Sequence, residues 1–412
     1  MSNEKLQIEI RRLTQTTVFY HPAESPLPIQ QRSQNLFIGL PKETSMRENR
    51  IALTPESVKQ LVINGHEIWV ESGAGLPAKY SDMEYNEAGA KIVYDPKEVF
   101  SADIILKIAP PTLEEINFMK YRSTLISALQ LANLSASYFK AINSKRITAI
   151  AFEFFQDKVG GLPFVRAMSE IAGSTVMLIA AEYLSSVHDG SGLILGGITG
   201  VPPTNVVILG AGTVAEYAAR AAIGLGANVK VFDNHLYKLR RLKHSLNYPN
   251  LFTCPLDSYT LQDALKTAHV VIGAIRAENN GRTPCVVSEE MVSQMQSDSV
   301  IIDVSIDNGG CFETSHLTTH EHPIFKLYDV IHYCVPNIPS RVARTATAAI
   351  SNIFMPTIRR IAENGGVDDM IFASRGFARG VYTYKGEVTN ESIGKRYGLK
   401  FKDLELIVAA RF

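Results

Sequence analysis

The sequence predicts an α/β fold of two units, each built on a parallel β-sheet with helices on both faces. Three observations support this prediction. A chain of 412 residues is long enough for two domains. Short runs rich in β-forming residues alternate with helical patterns along most of the chain, and these runs are almost continuously apolar, as strands buried on both faces require. Apolar residues make up 46% of the chain, which is enough for two cores.

The first alternating series begins at Phe37. Its helical patterns include 54–63, where Thr54 is placed to cap the helix and Pro55 suits the first turn. Residues 1–36 are polar and proline-containing, and we expect an N-terminal extension that lies on the surface. The candidate strands of this series are 37–40, 67–71, 92–94, 103–109, 124–129 and 147–152.

A second alternating series starts at Asn205, with candidate strands at 206–209, 229–232, 269–275, 300–305 and 330–334. Long helical patterns at 164–184 and 344–363 would join the two series, and the second would carry the chain back to the first unit. The predicted domains are therefore 37–163 completed by 342–412, and 164–341.

Composition excludes several classes of partner. The 41 basic and 41 acidic residues balance, and no basic tract points to nucleic acid or an anionic membrane. The N-terminus lacks the apolar run of a signal peptide, and 171–184 is too short to span a bilayer. Four cysteines without a CxxC pair predict reduced, mostly buried thiols in the cytoplasm. His320 and His322 have no further ligands at metal-binding spacing, so no metal site is predicted.

The segment 204–233 carries the most specific local motif. A strand runs into Gly210-Ala211-Gly212-Thr213-Val214-Ala215 and then a helix, and a second strand ends at Asp233, the spacing of a Rossmann dinucleotide site. Gly210 allows the tight turn, and Gly212 lets a pyrophosphate approach the helix N-terminus. Asp233 would accept hydrogen bonds from ribose hydroxyls and repel a 2′-phosphate, which favours NAD over NADP. A glycine loop without a ligand is the alternative, but both strands and the aspartate favour the dinucleotide.

Segments 37–75, 162–173, 304–315, 318–325 and 333–352 resemble the alanine dehydrogenases, including FIGLPKETSMRENRIALTP, LPFVRAMSEIAG and VSIDNGG. The opening is also similar to the NAD-binding α subunit of proton-translocating transhydrogenase. The resemblance implies two Rossmann-like domains, a substrate domain and a NAD-binding domain separated by a cleft. It implies the reaction of L-alanine, NAD and water to pyruvate, ammonium and NADH, a small amino-acid or oxo-acid substrate, and usually a homohexamer.

The resemblance also implies roles for individual residues. Arg50 would bind the substrate carboxylate, since its planar guanidinium pairs both oxygens. Asp307 would lie near the nicotinamide and the substrate amine. A surface arginine and a structural Asp-Asn-Gly-Gly turn are the alternatives. The implied cofactor contacts are Ser169, Gly210, Gly212, Thr213, Val214, Asp233, Lys238, Ile275, Arg276, Val304, Asp307 and Asn337.

Two positions depart from the family pattern. The second lysine of Leu-Lys-Val-Lys-Glu-Pro, which binds the substrate carbonyl in the family, is Ala109, and the acid–base histidine of Leu-His-Leu-Ala is Gln130. Losing an acid–base group typically costs ~10²–10⁴-fold in rate. Lys107 is a candidate substitute, since it would share a strand face with Ala109. Gln130 could orient a water.

Three functions stay open at this point. The first is an alanine dehydrogenase. The second is a catalytically impaired or transhydrogenase-like NAD(H)-binding protein, favoured by Ala109 and Gln130. The third is a dehydrogenase of another amino or imino acid. The polar run 276–282 indicates either an altered substrate or a surface loop.

Overall fold

The computed structural model describes residues 34–45, 48–131, 134–276 and 282–409. Two mostly parallel sheets with flanking helices confirm the α/β, two-unit prediction. Nearly all of the predicted N-terminal extension and residues 277–281 of the polar run lie outside the described residues.

The first sheet has eight strands in the order β15-β14-β6-β5-β4-β1-β2-β3. The first six strands along the chain are parallel, whereas β14 runs antiparallel to β6 and β15 antiparallel to β14. The strands are β1 (Phe37–Leu40), β2 (Glu67–Glu71), β3 (Lys91–Val93), β4 (Ile104–Leu106), β5 (Thr124–Ser127), β6 (Thr148–Ala151), β14 (Val381–Tyr384) and β15 (Glu387–Val388).

The second sheet has seven strands in the order β12-β13-β11-β10-β7-β8-β9, and only β12 is antiparallel to its neighbour. In each sheet the strand order reverses beside the first strand, at β1/β4 and at β7/β10, the position where open α/β sheets bind ligands. The strands are β7 (Asn205–Leu209), β8 (Asn228–Phe232), β9 (Leu251–Cys254), β10 (Val270–Gly273), β11 (Val300–Asp303), β12 (Ile324–Leu327) and β13 (Val330–Tyr333).

Fifteen α-helices lie in the described part of the chain. They are α1 (Pro55–Ile63), α2 (Asp82–Glu87), α3 (Pro96–Val99), α4 (Leu113–Phe118), α5 (Ala136–Ser144), α6 (Pro163–Leu184), α7 (Thr213–Gly224), α8 (Leu236–Leu246), α9 (Ser258–Lys266), α10 (Glu289–Ser293), α11 (Ala343–Glu363), α12 (Val367–Ala373), α13 (Arg375–Ala378), α14 (Glu391–Tyr397) and α15 (Leu404–Ala409).

Helix α6 links the two units. Phe164 at its start packs on Phe152 of the first unit, with ring centroids 4.9 Å apart. Nine residues later, a Cβ on Gly173 would lie 2.4 Å from the carbonyl oxygen of Val214, so only glycine lets α6 approach α7 this closely. Among the described helices α6 alone is long and apolar enough to cross a membrane by length and composition, and its buried side belongs to the protein core.

Several predicted elements have different bounds. Strand β4 ends at Leu106, so Lys107 and Ala109 lie beyond it and the prediction that both stand on one strand face was wrong. Residues 304–308 form a 3₁₀ turn instead of the end of a strand. Helix α1 begins as predicted, with Thr54 accepting the backbone N–H of Ser57. Because β14 and β15 join the first sheet, we keep the division 37–163 with 342–412, and 164–341, as a proposal.

Candidate active site

The glycine loop after β7 forms an open cradle at the start of α7. Gly210 has a left-handed φ of +101°, and a Cβ there would lie 2.5 Å from the carbonyl oxygen of Ala274. Gly212 caps the helix, and a Cβ built on it meets nothing within 4 Å. The first N–H groups of α7 therefore face unfilled space, the arrangement that binds a phosphate.

Asp233, directly after β8, fastens the glycine loop. Its Oδ2 accepts the Ala211 N–H at 2.8 Å, and its Oδ1 accepts the His235 N–H at 2.7 Å. Burial alone would raise the pKa of the Asp233 carboxyl, but these hydrogen bonds outweigh burial and hold the pKa below its ordinary value. The carboxylate is ionised, and Lys238 lies near enough to favour that charge.

The other predicted cofactor contacts lie around this loop. The Ser305 hydroxyl donates to the carbonyl of Ile275 at 2.9 Å and so ties together the segments after β10 and β11. By location, Ser169 lies on α6, Thr213 and Val214 form the first turn of α7, Ile275 and the exposed Arg276 follow β10, and Val304 follows β11.

Arg50 is 8% exposed, and its side chain is paired with Glu48 through two hydrogen bonds. Its Nε and Nη2 donate to the two carboxylate oxygens of Glu48, each at 2.6 Å, and its Nη1 lies 3.2 Å from Sδ of Met168 on α6. Burial would lower the pKa of the guanidinium, but Glu48 more than offsets this, so the net pKa is raised. Arg50 is a fixed cation, not a loose surface side chain.

Three buried hydroxyl groups hold the backbone of the segment that carries Arg50. Ser340 accepts the N–H of Asn49 at 2.8 Å. Thr347 and Ser351 of α11 accept the N–H groups of Ile51 and Thr54 at 3.1 and 3.0 Å. The segment is therefore positioned by the returning helix and by the 3₁₀ turn before it.

Asn337 connects Arg50 to Asp307. The N–H of Asn337 donates to Oδ1 of Asp307 at 3.2 Å, and its side-chain Nδ2 donates to Oε2 of Glu48 at 3.1 Å. Asp307 is exposed on its 3₁₀ turn. The structure thus brings together Arg50, Asp307 and Asn337, which the sequence places far apart.

Lys107 lies in a buried cluster beside β1 and β4. It is 1% exposed, and its Nζ lies 2.8 Å from Oε2 of Glu43 and 3.7 Å from Oε1 of Glu115. The Glu43 carboxylate also accepts the N–H groups of Ile108 and Ala109, at 2.6 and 3.3 Å. Burial raises the pKa of Glu43 to about 7 despite the opposing charge of Lys107. Because Lys107 is buried beside two carboxylates, the structure gives no support to its predicted role as a substitute substrate contact.

Gln130 is exposed and adopts a left-handed φ of +43°, which is uncommon for glutamine. Glu153, in the 3₁₀ turn that follows β6, contacts this segment, and its Oε1 accepts the N–H of Leu129 at 2.7 Å. Its Oε2 is buried and has no hydrogen-bond partner in the part of the chain that the structure describes. Burial raises the pKa of the Glu153 carboxyl to about 7.

Sequence reasoning missed four residues of this site: Glu43, Glu48, Met168 and Glu153. Their signal was present, because Glu48 stands two residues before Arg50 and Glu153 stands just past the end of a predicted strand. Within the described ranges no three His, Cys, Asp or Glu side chains are grouped to hold a metal ion. All four cysteines are free, two buried, one half-buried and one exposed, so the prediction that most are buried was only half right.

Two family models match the chain. Residues 39–172 match the N-terminal domain and residues 176–391 the C-terminal domain of alanine dehydrogenase/PNT. The chain is 39% identical over 372 residues to the alanine dehydrogenase of Methanococcus maripaludis, covering 90% of this chain and 99% of that protein. It is 37% identical to that of Bacillus subtilis over 371 residues, 90% of this chain and 97% of the other.

Solved structures give the same relationship. An L-alanine dehydrogenase superposes with a TM-score of 0.82 at 34% identity, over 88% of this chain and 99% of that one. A transhydrogenase from Sinorhizobium meliloti superposes with a TM-score of 0.74 at 22% identity, over 86% and 99%, which shows a shared fold.

Proposed function

The chain belongs to the alanine dehydrogenase/PNT family, and on that premise we propose that it catalyses the NAD-dependent oxidative deamination of L-alanine to pyruvate and ammonium. The observation that carries the proposal is the connection from Asp307 through Asn337 and Glu48 to Arg50. It sets a fixed guanidinium and an exposed carboxylate in one site, as an amino-acid substrate requires.

The residues around the glycine loop fit a dinucleotide. The open space beside Gly212 would take the pyrophosphate, and the ionised Asp233 would face the ribose and disfavour a 2′-phosphate. Bound there, NAD would supply the hydride acceptor. The remaining cofactor contacts inferred above keep their proposed roles.

The chain's own side chains would do the rest. Arg50 would hold the substrate carboxylate through the nitrogen that faces Met168, because its other edge is bound to Glu48. Asp307 would lie near the amine and stabilise positive charge as the imine forms. Gln130 would orient the attacking water.

Two alternatives keep specific support. A NAD(H)-binding protein without turnover is favoured by Ala109 and Gln130. A dehydrogenase of another amino or imino acid is favoured by Arg282, whose side chain packs against Gly309, two residues after Asp307. An added cation there would suit a substrate with a second acidic group.

We also propose a homohexamer working in the cytoplasm. Large apolar side chains are exposed on 187–201 and beside it, which a second copy would cover. They are Val187, Ile194, Ile198, Val201 and Leu225. Sedimentation of the protein across a concentration range tests this, and a monomer at every concentration would contradict it.

The test of function measures NADH formation from L-alanine, NADH consumption with pyruvate and ammonium, and NADH binding by fluorescence. We expect turnover that Arg50→Ala abolishes while NADH binding survives. Tight NADH binding without turnover of any amino acid would replace the proposal with the non-catalytic alternative. Turnover confined to an amino acid other than alanine would replace it with the altered-substrate one.

A further inference from the structure

The Glu153 carboxyl has an incomplete set of partners. Oε1 is anchored on the Leu129 N–H at 2.7 Å, whereas Oε2 is buried and unpartnered among the described residues. Leaving a buried charged oxygen without a hydrogen bond is unfavourable, because the oxygen has lost its hydration and nothing replaces it. The carboxyl therefore favours a proton, or a molecule that enters the site, on that oxygen.

Glu153 lies at the carboxyl edge of the first sheet, where α/β proteins bind their ligands. Strands β5 and β6 are neighbours with Ser127 opposite Ala151, so Gln130 and Glu153 follow the same carboxyl edge of the sheet. Phe152 beside it packs on Phe164 of α6. One helical turn beyond Phe164, on the same face, Met168 contacts the Arg50 guanidinium.

We propose that Glu153 is the acid–base residue of this enzyme, exchanging protons with the reacting water behind Gln130 in place of the family's histidine. This inference rests on the proposed function. Gln130 marks the position where the histidine is absent, and its left-handed turn is held by the Glu153 carboxyl itself.

Burial places the pKa of Glu153 at about 7, near the value that suits proton exchange at neutral pH. The N–H groups of Leu129 and Gln130 lower the pKa in part. The phenols of Tyr138 on α5 and Tyr382 on β14 lie close enough to respond to the charge of Glu153, and their two oxygens are 3.0 Å apart. Burial raises the pKa of both phenols, and the charge of Glu153 adds to that effect, so both stay neutral.

Each proton in the proposed reaction has a defined donor and acceptor. The substrate ammonium would first release a proton to solvent. With NAD bound, the C–H electron pair would then leave as hydride to the cofactor, and an iminium would remain. Water adds to the iminium carbon, and its proton passes to the Glu153 carboxylate. Glu153 returns that proton to nitrogen, the C–N bond breaks, and the hydroxyl oxygen forms the C=O bond. The hydroxyl proton joins the leaving ammonia to give ammonium.

Glu153→Gln is the decisive variant, because the amide oxygen can still accept the Leu129 N–H while the side chain no longer titrates. We expect kcat for alanine to fall ~10²–10⁴-fold with NADH affinity unchanged. We expect kcat/KM of the wild type to rise with pH with a midpoint about 7, and this component of the pH profile should vanish in the variant, while the rise caused by deprotonation of the substrate amine at higher pH remains. Glu363→Gln, at an exposed carboxylate paired with Arg359, is the matched control and should match the wild type.

A variant that keeps wild-type kcat and the same pH profile would overturn the inference and leave the proposed function standing. A wild type that binds NADH but turns over no amino acid would overturn both. If Glu153→Gln does not fold, Glu153→Asp keeps a titrating group and should lower kcat while retaining the pH dependence. The carboxyl infrared band of Glu153, read as the wild type minus Glu153→Asp difference, should titrate near pH 7, and titration near the ordinary value of glutamate would refute the role without any activity assay.

Discussion

The side-chain nitrogen of Asn337 lies 3.1 Å from Oε2 of Glu48, although 289 residues separate the two in the chain. This hydrogen bond crosses between the segment that carries Arg50 and the turn that faces Asp307. It links Arg50, the proposed binding residue for the substrate carboxylate, to the unit that carries the glycine loop.

Asn337→Gly tests that connection. Asn337 has a left-handed φ of 56°, so glycine keeps the backbone conformation and the N–H to Asp307 while removing the side chain that binds Glu48. A hydrogen bond to a charged group contributes about 1.5–3 kcal/mol, so kcat/KM for alanine should fall roughly 10–100-fold. Steady-state kinetics measure this. Asn337→Asp should lower kcat/KM further because it sets a second carboxylate beside Glu48. Equal effects of the two variants would contradict a role for the Asn337–Glu48 hydrogen bond.

Gly212 and Gly210 should respond differently to a side chain. Gly212→Val places its side chain in the open space proposed for the pyrophosphate. NADH affinity should therefore fall at least ~10-fold, whereas Tm should change little because the side chain meets no protein atom. Gly210→Ala forces a methyl against the Ala274 carbonyl at a positive φ and should lower the free energy of unfolding by about 1–3 kcal/mol. Fluorescence titration and thermal unfolding separate the two. Unchanged NADH affinity in Gly212→Val would show that the pyrophosphate does not bind at the glycine loop.

Restoring the family pair should raise activity. Histidine tolerates the left-handed conformation at position 130, and a lysine at 109 would enter beside the Glu43 carboxylate. We expect Ala109→Lys with Gln130→His to increase kcat about 10-fold, less than the full cost of a missing acid–base group because Glu153 already supplies part of that service. Ala109→Lys with Gln130→Asn is the control, since it keeps the backbone but cannot titrate. No gain over this control would mean that the missing histidine is not limiting.

Glu153 should also give stability a pH dependence of defined sign. Its pKa is about 7 in the folded protein against 4.5 for the ordinary value, so between these values the folded state binds more protons than the unfolded state. Stability attributable to this group therefore falls as pH rises from about 4.5 to 7, and the deficit persists above 7. Glu153→Gln should be more stable relative to the wild type at pH 8 than at pH 5, by on the order of 1–3 kcal/mol. Urea unfolding at both pH values measures it, and an equal difference at the two would refute the raised pKa.

Local rules predicted the elements that are set locally. The start of α1 was predictable because Thr54 and Pro55 satisfy its first turn without help from the rest of the chain. The glycine loop was predictable for the same reason. Strands β9, β12, β14 and β15 were not, because each lies at the edge of its sheet or next to it and depends on a partner strand, not on its own pattern.

Residues of the site were predictable only where they belong to a motif of the family. Arg50, Asp307 and Asn337 were predicted from the resemblance, but their connection depends on contacts across hundreds of residues. Lys107 was predicted as a candidate substitute for the missing lysine, and in the structure it is buried beside two carboxylates. Glu153 carries no motif, and its raised pKa arises from burial that only the folded chain creates.

The pairing of β14 with β6 sets an order of assembly during synthesis. The second sheet is uninterrupted in the chain and has all its strands once Tyr333 has left the ribosome, whereas the first sheet waits for Val381–Tyr384. The unit proposed to bind the cofactor can therefore complete its sheet while the unit that holds Arg50 still lacks β14 and β15. On the proposed function, a nascent chain would be able to bind nucleotide before it could bind substrate.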